Sequence, residues 1–106
     1  MTPEIAASLA ARDIRMVAQA KDYCMFVRGD CLALVQTAGD RFTSIGSSAI
    51  LTETGLAYLV WVDGKAMLAS HGTQVEAAVD QVAAIRKFSQ DLKNTIWPQM
   101  SADEHR

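Results

Sequence analysis

The sequence predicts an α+β fold: an antiparallel β-meander of about five strands flanked by an N-terminal and a long C-terminal helix. Three observations carry that expectation. Ala78, Val82, Ile85, Phe88, Leu92 and Ile96 recur every three or four positions, the spacing of a helix with one buried stripe. Between Tyr23 and His71, short β-type apolar runs alternate with turn residues. At the start, Thr2-Pro3-Glu4 supplies a cap, a first-turn proline and an acid at the positive end of a helix dipole.

Each element follows from local chemistry. The first helix is expected over residues 3–20, with Ile5, Leu9, Met16 and Ala20 near one face. A competing reading breaks it near Arg12 and makes Ile14 to Ala18 a strand. Tyr23–Val27 and Cys31–Gln36 form a hairpin around Arg28-Gly29-Asp30. Gly39-Asp40 turns the chain into Arg41–Ile45, after which Gly46-Ser47-Ser48 and Thr52-Glu53-Thr54-Gly55 bracket a brief apolar piece, Ala49–Leu51. Leu56–Val62 and Lys65–His71 are the clearest pair, because Asp63-Gly64 supplies both positive-φ positions of a type I′ turn. Thr73 to Glu76 fits a capping box that opens the last helix, although Val75 can instead extend the sheet edge and delay the start to Asp80. Pro98 is expected to stop that helix, giving one domain over residues 1–100 and a polar tail over 101–106.

Composition excludes several classes. A chain of 106 residues, half of it apolar, holds one core and needs no disulfide or metal to form it. A net charge of −2 with abundant aliphatic residues excludes disorder. The longest uncharged run, Phe42 to Thr52, is far shorter than the roughly 18 residues of a spanning helix, so no membrane insertion is expected. Ten basic and twelve acidic residues are interspersed without a basic stripe, which argues against nucleic acid. The acidic start and the lack of a following apolar run suggest a cytoplasmic protein. Cys24 and Cys31 flank the first hairpin turn out of bridging register, so both are expected as free thiols.

No phosphate-binding loop, dinucleotide fingerprint, HExxH or CxxC occurs, and neither a cofactor nor a metal site is expected. The candidate ligand-binding residues are Ser47, Ser48, Glu53, Tyr58 and His71. They include turn hydroxyls, one carboxylate and one imidazole, with Leu56, Tyr58 and Met67 as apolar walls. Because Leu56 faces His71 in the Asp63-Gly64 register, Glu53 could swing beside the imidazole. Ordinary turn chemistry and a structural histidine explain the same residues.

Both faces of that hairpin are apolar: Tyr58, Val60, Val62, Met67 and Ala69 on one, Ala57, Leu59, Trp61, Ala66 and Leu68 on the other. Two helices cover one face, so a second copy is expected to cover the other. The element order is broadly similar to that of small homodimeric adaptor and secretion-chaperone domains. The reading is therefore a non-enzymatic, cytoplasmic interaction or adaptor module that acts as a homodimer, with room for a protein partner. Its alternative is a small-molecule-binding protein or small enzyme with a pocket near residues 44–54 and His71.

Overall fold

The computed structural model describes residues 2–39 and 41–104. It is α+β, as the sequence predicts, with a larger sheet. In chain order the elements are α1 (Pro3–Ala11), β1 (Arg15–Gln19), β2 (Tyr23–Arg28), β3 (Cys31–Ala38), β4 (Arg41–Thr52), β5 (Gly55–Val62), β6 (Lys65–Ser70), β7 (Thr73–Glu76) and α2 (Val79–Glu104). The seven strands lie side by side in sequence order, every neighbouring pair antiparallel. Both helices pack on one face of this meander.

The two extra strands come from segments with helical signals. The first helix ends at Ala11 rather than running to residue 20. Asp13 adopts a left-handed φ of 60°, while its N–H bonds to the Ala10 carbonyl and that of Ile14 to the Leu9 carbonyl. This is a Schellman cap, and the apolar contact that accompanies it is present in the buried pair Leu9 and Ile14. An aspartate holds the position usually given to glycine, so the stop signal is weak in sequence. Asp13→Gly is expected to stabilise the fold by about 0.5–1 kcal/mol, a rise of several degrees in Tm by thermal denaturation.

The capping box expected at Thr73 to Glu76 is replaced by strand β7, with His71-Gly72 as a tight turn at φ 52° and 77°. Helix α2 instead begins at Val79, where the Gln81 side chain accepts from the Ala78 N–H at 2.9 Å. It also passes the stop expected at Pro98, since its backbone is helical to Glu104. A proline removes one hydrogen bond, here the one to the Asn94 carbonyl, and at an exposed turn water can satisfy that carbonyl. The stripe itself is as expected: Ile85, Phe88, Leu92 and Ile96 are all buried.

The expected break at Gly46-Ser47-Ser48 is also absent, and β4 is one strand of twelve residues. The register against β3 jumps from Ser48↔Ala33 to Ile45↔Val35, so residues 46 and 47 together oppose Leu34. This bulge brings the chain close to β3: a Cβ on Gly46 would lie 3.2 Å from the Leu34 carbonyl oxygen.

Away from the bulges, alternation assigns each strand residue to a face. Under the helices, Cys24, Phe26, Cys31, Ala33, Val35, Phe42, Ile50, Ala57 and Leu68 form the core with Leu9, Ile14 and the α2 stripe. Facing away from them, one cross-strand row passes through Val27, Leu32, Ala49, Tyr58 and Ala69, with Arg15 at one end and Gln74 at the other. Met25, Leu34, Val60 and Met67 lie on the same side. An apolar face thus runs across the sheet with no element of the described chain covering it.

Cys24 pairs with Val35 and Cys31 with Arg28, in the register set by a Gly29-Asp30 turn. Val35 and Cys31 are four residues apart on β3, roughly 13 Å, well beyond bridging distance. Both thiols are free and buried, and burial raises the pKa of each. Alkylation under denaturing, non-reducing conditions is expected to add two groups by intact mass, and native labelling to be slow.

Candidate functional site

The bulged strand β4 distributes the hydroxyls of residues 44–54 over several surroundings. The Ser44 hydroxyl donates to Gln36 Oε1 at 2.8 Å on the exposed side of the sheet. Ser48 points beneath α2, where its hydroxyl meets that of Ser89 at 2.7 Å. Thr52 Oγ1 donates to the Gly55 carbonyl at 2.8 Å and tightens the β4–β5 turn. Ser47 lies in the bulge; its side chain is outside those described.

The remaining candidates also separate. His71 occupies the exposed β6–β7 turn, with Nε2 3.5 Å from where a Cβ on Gly55 would stand. It borders a cavity of about 470 Å³ with Thr52, Thr54, Ala57, Leu68 and Val75. Glu53 borders a different one, of about 620 Å³, with Asp30 and Asp80. Tyr58 is on the opposite, open face. No hydrogen bond or ion pair joins Glu53 to His71 among the described residues, so the swing expected from the sequence is not made. Nor, among the described residues, does a histidine approach the Ser48–Ser89 hydroxyl pair, and a serine nucleophile needs such a base within hydrogen-bond reach. Among the described residues no group of three or more His, Cys, Asp or Glu side chains is placed to hold a metal ion.

Two surfaces stand out instead. One is the open sheet face, with Tyr58 44 % and Leu51 53 % exposed. The other is a crevice of about 460 Å³ between α2 and strands β4 and β5, bordered by Gly46, Ser48, Trp61, Arg86, Ser89 and Lys93. Sequence reasoning missed the crevice because its two walls are about 40 residues apart. The spacing Arg86, Gln90, Lys93 along one helix edge was the available signal.

The relation of α2 to the sheet is fixed by Arg28 and Asp91. The guanidinium of Arg28 donates to Asp91 Oδ2 at 2.8 Å and lies 5.3 Å from the centre of the Phe88 ring. Lys87 adds a 3.6 Å ion pair to the same oxygen. The Arg28 hydrogen bond, with Lys87 reinforcing it, holds the Asp91 carboxyl below its ordinary pKa. A depressed carboxyl pKa contributes stability that is present above the unfolded value of roughly 3.9 and is lost as pH falls through the folded value. Asp91→Asn is therefore expected to lower Tm at pH 7, and the gap to the parent protein to narrow below about pH 4. Thermal melts across that range check it.

No family model, curated protein or solved structure matches this chain. No helix among the described residues is long and apolar enough to cross a membrane.

Proposed function

We propose that this protein is a non-enzymatic interaction module that works as a homodimer, two copies packing their open sheet faces together. One observation carries the reading: the apolar row through Val27, Leu32, Ala49, Tyr58 and Ala69 that no helix covers. An antiparallel sheet with one wet face alternates apolar and polar residues, and this one is apolar on both sides. Seven strands at roughly 4.8 Å spacing, six residues long at about 3.3 Å each, give a face near 30 by 20 Å. Two such faces bury on the order of 1,200 Å², the lower bound of a stable interface.

The pattern on the face suits its own two-fold copy. An axis along β4, the central strand, lays β1 of one copy over β7 of the other. Small Ala49 then sits at the axis, Tyr58 of each copy rests on Leu32 of the other, and Arg15 approaches Gln74 and Glu76. Opposite charges meet at the rim and large side chains at the centre. The two unpaired, buried cysteines suit a reducing, cytoplasmic setting. Light scattering at micromolar concentration tests the reading: a mass of twice 11.5 kDa supports it and a monomer overturns it.

A further inference from the structure

We infer that the crevice between α2 and strands β4 and β5 binds an acidic segment of a partner protein, because two cations without carboxylate partners border its hydroxyl floor between two indole rings. The protein is acidic overall, with a net charge of −2, yet Arg86 and Lys93 stand seven residues apart on one edge of α2. Among the described residues neither meets a carboxylate. The helix's Asp91 is engaged by Arg28 and Lys87 instead. Each of the two cations rests on an aromatic face: Arg86 is 5.4 Å from the Trp61 ring centre and Lys93 is 5.2 Å from that of Trp97. Stacking orders these long side chains in advance, which lowers the entropy lost when an anion arrives.

The floor adds directional chemistry. In the Ser48–Ser89 pair one hydroxyl donates to the other, which leaves one hydroxyl proton for a carboxylate or a peptide carbonyl. Gly46 presents no side chain beside them, and the β4 bulge at that position forms the crevice wall. The crevice is continued along α2 by a smaller hollow of about 350 Å³, bordered by Ile45, Ser89, Lys93 and Trp97. The site is thus an elongated trough, apolar in its walls and cationic along one rim.

Its dimensions select an extended peptide. Seven residues of helix rise about 10 Å. A polyproline II segment rises about 3.1 Å per residue and returns each third side chain to the same side, so acids at positions i and i+3 match the two cations. An apolar side chain between them has Trp61 and the hydrophobic part of the trough to rest on. This inference extends the interaction-module reading by naming a partner's chemistry, and it rests on that reading. The trough lies on the helix side of the sheet, however, so dimerisation and peptide binding are measured separately and can fail separately.

The experiment uses the two tryptophans, Trp61 and Trp97, the only ones in the chain, which stand at the ends of the trough. The full chain is titrated with an acetylated, amidated peptide Glu-Leu-Pro-Glu-Leu and, in parallel, with the same peptide carrying glutamine for both glutamates. The acidic peptide is expected to shift tryptophan emission saturably and to bind at least about tenfold more tightly than the neutral one. Arg86→Ala and Lys93→Ala are each expected to weaken it by roughly two- to fivefold, the range of exposed ion pairs, and the effect to fade in high salt. Equal affinity for both peptides, or no saturable shift up to millimolar concentration, overturns the inference. Displacement by inorganic phosphate or by single-stranded DNA at matching charge concentration also overturns it, since a general anion site would then explain the cations.

Discussion

Tyr58→Lys is expected to convert the proposed dimer into a folded monomer, halving the mass seen by light scattering while the circular dichroism spectrum is preserved. Tyr58 is 44 % exposed in the single chain, so a long cation at that position keeps its head in water and costs the monomer little. In the proposed pair, the same cation would lie over Leu32 of the second copy, near the centre of the apolar interface. A central aromatic is the kind of residue that dominates interface energetics, and truncating one costs about 2–4 kcal/mol. Burying an unpaired charge adds to that. The two-fold arrangement counts the change twice, so dimer affinity is expected to fall by at least about a thousandfold. An unaltered dimer mass would place the interface elsewhere.

Phe88→Ala is expected to produce the largest loss of stability, about 3–5 kcal/mol. The ring is fully buried on α2 among the residues of the single core, and the Arg28 guanidinium rests on it. Its removal leaves a cavity beneath the helix and takes away the surface that orients the Arg28–Asp91 pair. For a domain of this size, whose total stability is roughly 5–15 kcal/mol, the loss corresponds to a fall in Tm of about 15–30 °C. Differential scanning calorimetry reads it directly. A fall below about 5 °C would mean that α2 is not the main clamp on the sheet.

How far the sequence determined this protein depends on the range of the forces involved. The stripe Ile85, Phe88, Leu92 and Ile96 specifies a buried helix face by spacing alone. Asp63-Gly64, at φ 51° and 80°, specifies its hairpin because few residue pairs tolerate that geometry. With that turn fixed, Val62 pairs with Lys65 and the two apolar faces follow by alternation, so the excess of apolar surface over what two helices can cover is written in the strand pattern itself. These are local rules, and one chain segment contains all the information they need.

The tertiary structure decided the points at which local signals competed. Residues 15–19 and 73–76 carry helix-compatible patterns, yet each adds a strand to one edge of a sheet whose backbone groups need partners. The strand alternatives at Ile14 to Ala18 and at Val75 are legible in the sequence, but the collective hydrogen bonding that decides for them lies outside the segment. Gly46-Ser47-Ser48 has turn composition, but pairing with β3 before and after it carries the strand through with a bulge. The candidate site shows the same limit. Ser48, Glu53, Tyr58 and His71 are close in a sheet-pairing diagram, but strand parity sends Tyr58 to the open face and a turn holds His71. Conversely, Trp61 and Arg86 meet only because α2 crosses the sheet where Arg28 and Asp91 anchor it. Residue types and spacing fix which side chains share a face, and only packing one element against another fixes which faces share a crevice.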